Sequence, residues 1–264
     1  MTNAALVIVG TGVQAGVHLS IQARESICLA DKVLYVIPGD WAESWMLSLN
    51  DTAESLIPLY NQNQHRLDTY GDMVERIMHF VRQGLQVCTV FYGHPGVFVT
   101  PSHEAIALAR REGFTAVMYP GISAEDCLFA DLGVDPATCG CQSFEATDFL
   151  VRRRRFDPHS HLIIWQIGVV GHLGSKATQE INGLRLLTDE LAKTYGLDHV
   201  AIIYEAAPHP RYQSRIERVS LKNLPKTRLI SISTLYIPPK AIAPIDETQL
   251  AALGLTRADI TKKW

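Results

Sequence analysis

The sequence predicts a two-domain α/β protein whose first sheet is mainly parallel and whose second sheet is mixed. In the first 120 residues, apolar runs typical of strands buried on both faces alternate with segments of helical apolar spacing. In the second half, segments 214–224 and 229–237 are predicted as neighbouring strands with no room for a helix between them. Such a connection indicates antiparallel pairing in addition to parallel pairing. The apolar runs of the first half lie at 4–9, 32–37, 86–91 and 115–118.

The composition restricts the class of protein before any motif is considered. The chain has 264 residues, 47% of them hydrophobic and 19% charged, which excludes a disordered tail, a collagen and a coiled coil. A formal charge of −3 argues against nucleic-acid binding, and no apolar run reaches the ~20 residues of a membrane span. Five cysteines, an odd number, and a start without a basic signal region favour a cytoplasmic protein.

Shaped turns end the expected strands of the first half. The first strand runs into Gly10-Thr11-Gly12, and the third runs into the loop Tyr92-Gly93-His94-Pro95-Gly96. The fourth strand leads into Pro120-Gly121-Ile122-Ser123. Asp40 is the expected N-cap of the second helix, and segment 50–65 shows no assignable pattern. Helices are predicted at 18–30, 40–49, 66–83 and 102–111.

The regular alternation of predicted strands and helices ends near Pro120, and the expected domain limits follow from this change. They are 1–120, 121–240 and a tail at 241–264 that is expected to hold only a short helix around Leu250. The second domain has predicted helices at 124–132, 144–153 and 184–195 and, besides the pair above, strands at 162–167 and 199–204.

The glycine loops predict where a ligand binds. Gly10, Gly12 and Gly16 do not form the dinucleotide pattern, because the third glycine falls one position late and no acidic residue ends the second strand. The loops after the third and fourth strands leave one edge of the sheet, where open α/β sheets bind ligands. We therefore expect a shared pocket there, although Ser123 could instead simply cap the next helix.

These three loops, in this order and at this spacing, resemble those of the tetrapyrrole methylases. That resemblance implies two α/β domains and S-adenosylmethionine (SAM) bound in the cleft between them, with S-adenosyl-L-homocysteine as product. His94 stands where tetrapyrrole-modifying members usually carry Asp. Segment 91–136 is closely similar to the borosin peptide α-N-methyltransferases, which methylate backbone amides of a ribosomal precursor peptide. Those enzymes also carry a Tyr/Arg/Tyr set, matched here by Tyr60, Arg66 and Tyr70.

The resemblance implies catalytic roles that suit the chemistry of an amide. An amide nitrogen is a poor nucleophile, since its lone pair is delocalised into the carbonyl group. Tyr70 is the expected general base, pushed toward phenolate by Arg66, which also polarises the amide carbonyl. Tyr60 is expected to orient the amide. From spacing alone, a surface arginine stacked on a tyrosine is the favoured interpretation of Arg66 and Tyr70, which share a helix face.

The same matching implies a set of cofactor contacts. Tyr92 is expected to lie near the transferred methyl group and to contribute to catalysis. His94 could instead be a packed loop histidine. The similarity from which these contacts are taken is weaker in the second domain. The full set of expected SAM contacts is Tyr92, His94, Val97, Ser123, Ala124, Gln166, Tyr204, Ser233 and Thr234.

The expected substrate is a separate precursor peptide with a leader and a core, because the chain stops at Trp264 without a core-like tail. The resemblance also implies a homodimer, which could form a heterotetramer with two precursors. One alternative is methylation of a tetrapyrrole or another small molecule. Another alternative is a non-catalytic protein that binds SAM or a peptide.

Two further motifs have structural interpretations. Cys139-Gly140-Cys141 matches no zinc spacing, so buried small thiols are favoured and no metal is expected. The run of four arginines at 152–155 is predicted to be a solvated helix end stabilised by the helix dipole. The alternative for this run is contact with an acidic leader peptide.

Overall fold

A computed structural model describes residues 5–14, 16–60, 65–172 and 181–261. The described chain forms two compact units. The first unit contains residues 5–131 together with 206–214, and the second contains 132–172, 181–205 and 215–261. The expected domain limits near Pro120 stay a prediction.

The first unit is built on a five-stranded parallel sheet with strand order β3-β2-β4-β1-β5, which confirms the predicted parallel first sheet. Buried β-branched and leucine residues dominate its central strands, as expected for strands covered on both faces. Its strands are β1 (Leu6–Gly10), β2 (Lys32–Val36), β3 (Glu54–Ser55), β4 (Val87–Phe91) and β5 (Ala116–Met118). Its helices are α1 (Ile21–Leu29), α2 (Ala42–Leu49), α3 (Arg66–Arg82), α4 (Thr100–Arg111) and α5 (Ala124–Leu132).

Helices cover both faces of this sheet because successive strand residues point to opposite sides. Val87 and Phe91 of β4 belong to the core cluster that contains the buried residues of α3 and α4. Cys88 and Val90 belong to the cluster that contains Ala23 of α1 and the buried residues of α2. The helices α3 and α4 pack against each other on their shared face of the sheet.

Two local expectations in the first unit are corrected. Asp40 is not the N-cap of α2, because the Ala42 amide donates to the Gly39 carbonyl at 3.0 Å and the helix starts in that backbone turn. Segment 50–65 contains β3 and a 3₁₀ turn at Ile57–Leu59. The two-residue strand is too short to create a period in the sequence, and its pairing with β2 defines it.

The second unit contains a mixed sheet with strand order β6-β7-β10-β8-β9, which confirms the predicted mixed pairing. β6 and β7 are parallel, whereas β10 pairs antiparallel with both β7 and β8. The strands are β6 (Cys141–Glu145), β7 (His161–Trp165), β8 (Val200–Glu205), β9 (Arg215–Ser220) and β10 (Thr234–Ile237). The helices are α6 (Ala146–Val151), α7 (Ile181–Tyr195), α8 (Glu247–Ala252) and α9 (Arg257–Thr261).

Three expectations in this unit are wrong. The helix predicted at 144–153 begins only at Ala146, because Cys141–Glu145 pairs with β7 as an edge strand. Segments 214–224 and 229–237 do not pair with each other, since β8 lies between their strands and a 3₁₀ helix, Leu221–Lys226, follows β9. The tail has a second short helix, α9, besides the expected one around Leu250.

The remaining motifs lie at the surface of the second unit. Cys139 is exposed and Cys141 is partly buried, so the expectation of two buried thiols is wrong. A cluster of three or more histidine, cysteine or acidic ligands for a metal is absent from the described residues. The arginine run follows α6 and is exposed, as predicted, with Arg152 and Arg154 both bound to Asp148. No helix in the described parts of the chain is both long enough and apolar enough to span a bilayer.

Candidate active site

The three glycine loops of the first unit lie against one another at the carboxyl edge of the parallel sheet. Gly12 and Gly93 form a two-way backbone bridge, each amide donating to the other carbonyl at 3.1 Å. A Cβ added to Gly10 would lie 2.1 Å from the Gly93 carbonyl oxygen, and one added to Gly121 would lie 3.2 Å from it. Only glycine therefore permits this approach at Gly10, and the predicted convergence of the loops is confirmed.

One glycine of this junction leaves space for a ligand. Gly93 has a φ of +73°, and a Cβ added there would meet no atom within 4 Å. The residue thus combines a left-handed backbone with an open side, unlike Gly10 and Gly121. A loop of this kind lets a ligand approach the backbone closely.

His94 holds the shape of the third-strand loop. Its Nδ1 accepts a hydrogen bond from the Gly96 amide at 2.9 Å, and the Gly96 carbonyl oxygen contacts Nε2 of His103 at 2.9 Å. An aspartate makes the same bond to a backbone amide two residues ahead in an Asx turn. His94 can therefore replace the aspartate usual in related loops without loss of loop shape. Val97, which follows in this loop, is 37% exposed.

Ser123 caps helix α5, as the simpler interpretation predicted. Its Oγ accepts hydrogen bonds from the amides of Glu125 and Asp126 and donates to the Asp126 carboxylate. The Asp126 carboxylate accepts in return from the Ser123 amide at 2.6 Å, which completes a reciprocal capping box. The structure therefore places Ser123 and Ala124 at the start of α5, beside the loop that contains Gly121.

Tyr92 is partly buried and interacts with the thiol of Cys127, a residue that the sequence patterns do not single out. Burial raises the pKa of Tyr92, and its electrostatic interaction with Cys127 raises that pKa further. Burial also raises the pKa of Cys127 to about 11, so the thiol is neutral at physiological pH. Cys127 lies four residues after Ser123, one turn into α5, and this spacing is the signal that could have identified it.

The structure brings Tyr60, Arg66 and Tyr70 together at the first turn of α3. Arg66 is the first residue of the helix, and Nδ1 of the capping residue His65 accepts from the Leu67 amide at 3.2 Å. Arg66 hydrogen-bonds the phenol of Tyr70 and interacts electrostatically with Tyr60. Because α3 connects β3 to β4, its first turn lies at the same edge of the sheet as the glycine loops.

Burial dominates the electrostatics of this pair. It raises the pKa of Tyr70 above its ordinary value, and Arg66 lowers that pKa by less than burial raises it. Burial also raises the pKa of Tyr60, which the neighbouring Tyr70 raises further and Arg66 lowers. The expected push toward phenolate is therefore present as a contribution from Arg66, but the net shift of Tyr70 is upward.

The expected residues of the second unit also cluster, but inside its fold. Thr234 of β10 pairs with Tyr204 of β8, and both side chains are buried. Ser233 is 0% exposed, and its Oγ donates to the Glu205 carboxylate at 2.5 Å and accepts from the Ile230 amide. Gln166 follows β7 with a φ of +58°, and the next amide, that of Ile167, donates to the Ser233 carbonyl.

The sequence profile of the family Tetrapyrrole (Corrin/Porphyrin) Methylases matches residues 5–224. Diphthine synthase superposes with a TM-score of 0.61 at 17% identity over 90% of this chain and 91% of that one. The cobalamin biosynthetic enzyme cobalt precorrin-4 methyltransferase superposes with a TM-score of 0.60 at 15% identity over 89% and 95% of the two chains.

Fungal relatives are more similar in sequence. A methyltransferase/type III borosin cyclic peptide precursor of Anomoporia bombycina is 43% identical over 96% of this chain and 30% of its own length. A methyltransferase/type I borosin cyclic peptide precursor of Coprinopsis marcescibilis is 43% identical over 89% of this chain and 62% of its own length. The methyltransferase/omphalotin A precursor of Omphalotus olearius is 42% identical over 89% of this chain and 58% of its own length.

The chain thus spans less than two thirds of the length of each of these fungal relatives. Their names bear out the borosin resemblance seen in segment 91–136. The family profile covers most of the chain, and the solved structures share its fold. The chain therefore belongs to the tetrapyrrole methylase family.

Proposed function

We propose that this chain is a SAM-dependent methyltransferase that N-methylates backbone amides of a peptide. The observation that carries the proposal is the hydrogen-bonded pair of Arg66 and Tyr70 at the edge of the sheet where the glycine loops meet. Methylation of a macrocycle carbon does not need such a pair. The fungal relatives, whose names combine methyltransferase and peptide precursor, support the same substrate class.

The residues at the loop junction fit a bound SAM molecule. The open side of Gly93 and the exposed Val97 leave room for a ligand, and Tyr92, His94, Ser123 and Ala124 flank the same loops. In the second unit, Gln166, Tyr204, Ser233 and Thr234 form the cluster that we assign to the nucleoside side. When bound, SAM supplies an electrophilic methyl group on a sulfonium. We assign Tyr92 to the methyl side of the cofactor.

The chain's own residues then make the amide reactive. The Arg66 guanidinium donates to the amide carbonyl oxygen and stabilises the negative charge that develops there as the N–H proton leaves. Tyr70, as phenolate, accepts that proton at its hydroxyl oxygen. Tyr60 orients the amide by a hydrogen bond. Tyr70 is partly buried, which limits the access of water to the oxygen that takes the proton.

We further propose that the peptide is a separate molecule with a leader and a core. Tyr60 is 40% exposed and Leu67 is 59% exposed, so an external peptide can reach the first turn of α3 from solvent. The assembly that we propose is a homodimer, or a heterotetramer with two precursors, which sedimentation with and without peptide can measure. The five cysteines all lie in the described part of the chain and form no disulfide there, which suits the cytoplasmic location that we propose.

The test is methyl transfer to a supplied peptide. The protein is incubated with SAM and a peptide covering the part of the Omphalotus olearius relative that this chain does not match. Tandem mass spectrometry then locates each added methyl group. Methyl groups on backbone nitrogens support the proposal, and methyl groups on side chains contradict it. Methylation of an added tetrapyrrole, with the peptide left unmodified, would establish the small-molecule alternative instead.

A further inference from the structure

Within the described part of the first unit, three side-chain hydroxyls are fully buried and have no hydrogen-bond partner. They belong to Thr69 in α3, Thr89 in β4 and Ser102 in α4, and each residue is 0% exposed. Buried hydroxyls in folded proteins are nearly always bonded to protein groups or to ordered water. Each of these three hydroxyls therefore calls for a polar partner that the described residues do not supply.

Thr89 points into the layer between the sheet and the helices α3 and α4. Strand residues alternate between faces, so Thr89 shares a face with Val87 and Phe91, both of which belong to the core cluster under those helices. It pairs with Ile8 on one side and Leu34 on the other, and these residues belong to the same cluster. Thr89 is thus a polar residue in the centre of an apolar sheet face.

The two helices direct their hydroxyls into the same layer. Met73 lies four residues after Thr69 in α3, and Ala105 lies three residues after Ser102 in α4. Residues at these spacings share a helix face, and both Met73 and Ala105 belong to the core cluster that includes the neighbours of Thr89. Because α3 and α4 pack on each other, Thr69 and Ser102 face a common seam.

The three hydroxyls also lie at a similar depth below the carboxyl edge of the sheet, where α3 and α4 begin and β4 ends. Thr69 is three residues into α3 and Ser102 two residues into α4, or about 4.5 Å and about 3 Å at the helical rise per residue. Thr89 lies two residues before the end of β4, or about 6.6 Å along the strand.

We propose that one buried water molecule bridges the hydroxyls of Thr69, Thr89 and Ser102. A water molecule has two donors and two acceptors, and buried waters typically make about three hydrogen bonds to polar groups that would otherwise be unbonded. The bridge ties the first turns of α3 and α4 to the central strand. It therefore holds the turn that presents Arg66 and Tyr70 without contacting either of them.

A crystal structure of the unmodified protein tests the site directly. The expected result is an ordered water within hydrogen-bond distance of all three hydroxyl oxygens. A seam without such a water, at a resolution that shows other internal waters, overturns the proposal. This test does not depend on any activity, so it stands apart from the proposed function.

Thermal unfolding of Thr89→Val gives an independent test with opposite signs for the two outcomes. If water bridges the hydroxyls, the variant leaves the water with one hydrogen-bond partner fewer. Tm is then expected to fall by at least about 2–4 °C. A Tm that rises shows that Thr89 is an unsolvated hydroxyl and overturns the proposal. The variant that combines Thr69→Val, Thr89→Val and Ser102→Ala should lower Tm by less than the sum of the three single decreases. The reason is that the water is lost together with all of its partners.

A matched control comes from the second unit. The buried hydroxyl of Thr188 in α7 donates to the Leu184 carbonyl at 2.9 Å, so its partner is a protein atom. Thr188→Val gives the shift in Tm for losing a directly bonded hydroxyl. When Thr188→Val is combined with Ser102→Ala, the two decreases in Tm should add, since the two sites share no partner.

Discussion

The candidate residues of the two units differ in how much of their hydrogen-bonding capacity the fold already uses. In the first unit, Tyr60 is 40% exposed, and the Arg66–Tyr70 pair spans the start of its helix, one turn apart. In the second unit, Ser233 is fully buried and its hydroxyl both donates and accepts within the protein. A group left accessible can act on a substrate, whereas a group bonded on all sides mainly maintains geometry. We therefore expect substitutions in the two units to affect different measurements.

The ion pairs around Ser233 strengthen this contrast. The Glu205 carboxylate that accepts from Ser233 also pairs with Arg215 at 2.7 Å, and Arg215 pairs in turn with Glu217. Arg215 also donates to the Arg228 carbonyl at 2.9 Å. The network connects β8, β9 and the chain before β10. Its loss should therefore be seen first in the stability of the second unit.

The largest expected effect is that of Tyr70→Phe on catalysis. Loss of a general base typically costs about 10²–10⁴-fold in rate, and we expect a fall of that size in kcat for peptide methylation. The Tm should hardly change, because the phenyl ring keeps its packing. The matched control is Tyr195→Phe in the second unit, which removes a buried phenol hydroxyl that has no hydrogen-bond partner among the described residues. A Tyr70→Phe enzyme with its original kcat would show that another group takes the proton.

Arg66→Gln should lower kcat by about 10²–10³-fold, since it removes a charged donor from the developing oxyanion. It also removes the contribution that lowers the pKa of Tyr70, so less phenolate forms at a given pH. Arg66→Lys keeps the charge without the planar fork and should restore only part of the rate. Equal rates for the lysine and glutamine variants would contradict a role for the charge.

The raised pKa of Tyr70 predicts the direction of the pH dependence. Below that pKa, the phenolate fraction rises tenfold for each pH unit, so kcat should increase by roughly tenfold per unit from about pH 6 to about pH 9. The measurement is the initial rate of methyl transfer at saturating SAM and peptide. A rate that is flat over this range would show that proton removal by the phenol does not limit the reaction.

Ser233→Ala should act on stability more than on chemistry. It leaves the Ile230 amide without its acceptor and removes one of the two donors of the Glu205 carboxylate, which keeps Arg215, and this costs about 1–3 kcal/mol in free energy of unfolding. We expect kcat to change less than about threefold, a loss far below that of a catalytic base. Denaturant unfolding and SAM titration separate the outcomes. A large loss of SAM affinity with unchanged stability would show that Ser233 binds the cofactor directly rather than by maintaining the geometry of the cluster that we assign to the nucleoside side, and would remove the contrast between the units.

The sequence predicted the elements whose residues alone determine their structure. Helix α5 was expected at 124–132 and is observed at Ala124–Leu132, because Ser123 and Asp126 cap it locally. Strand β6 was mistaken for part of a helix. Its side chains are all at least partly exposed and Phe144 is its one large apolar residue, so its strand state comes from pairing with β7. A partner distant in the chain leaves no local pattern.

The candidate site divides in the same way. The convergence of the loops was predictable, since parallel strands end at one edge and only glycine allows the contact at Gly10. The pairing of Arg66 with Tyr70 was favoured by resemblance more than by spacing. The upward net shift of the Tyr70 pKa was not predictable, because it depends on burial by residues that are remote in sequence. Cys127 lies one helical turn after Ser123, and this spacing alone is too weak a signal to single out one thiol on a helix.

The smallest expected effect concerns the exposed arginines after α6. Arg152 and Arg154 both pair with Asp148, and all four arginines are exposed, so water and salt screen the positive charge of the run. Replacing residues 152–155 by glutamine should change precursor affinity by less than about twofold and should hardly change the stability of the protein. Isothermal titration at low and high salt measures the first quantity. A tenfold, salt-sensitive loss of affinity would instead assign the run to an acidic leader, and the second unit would then contribute to substrate binding through its surface rather than through its buried cluster.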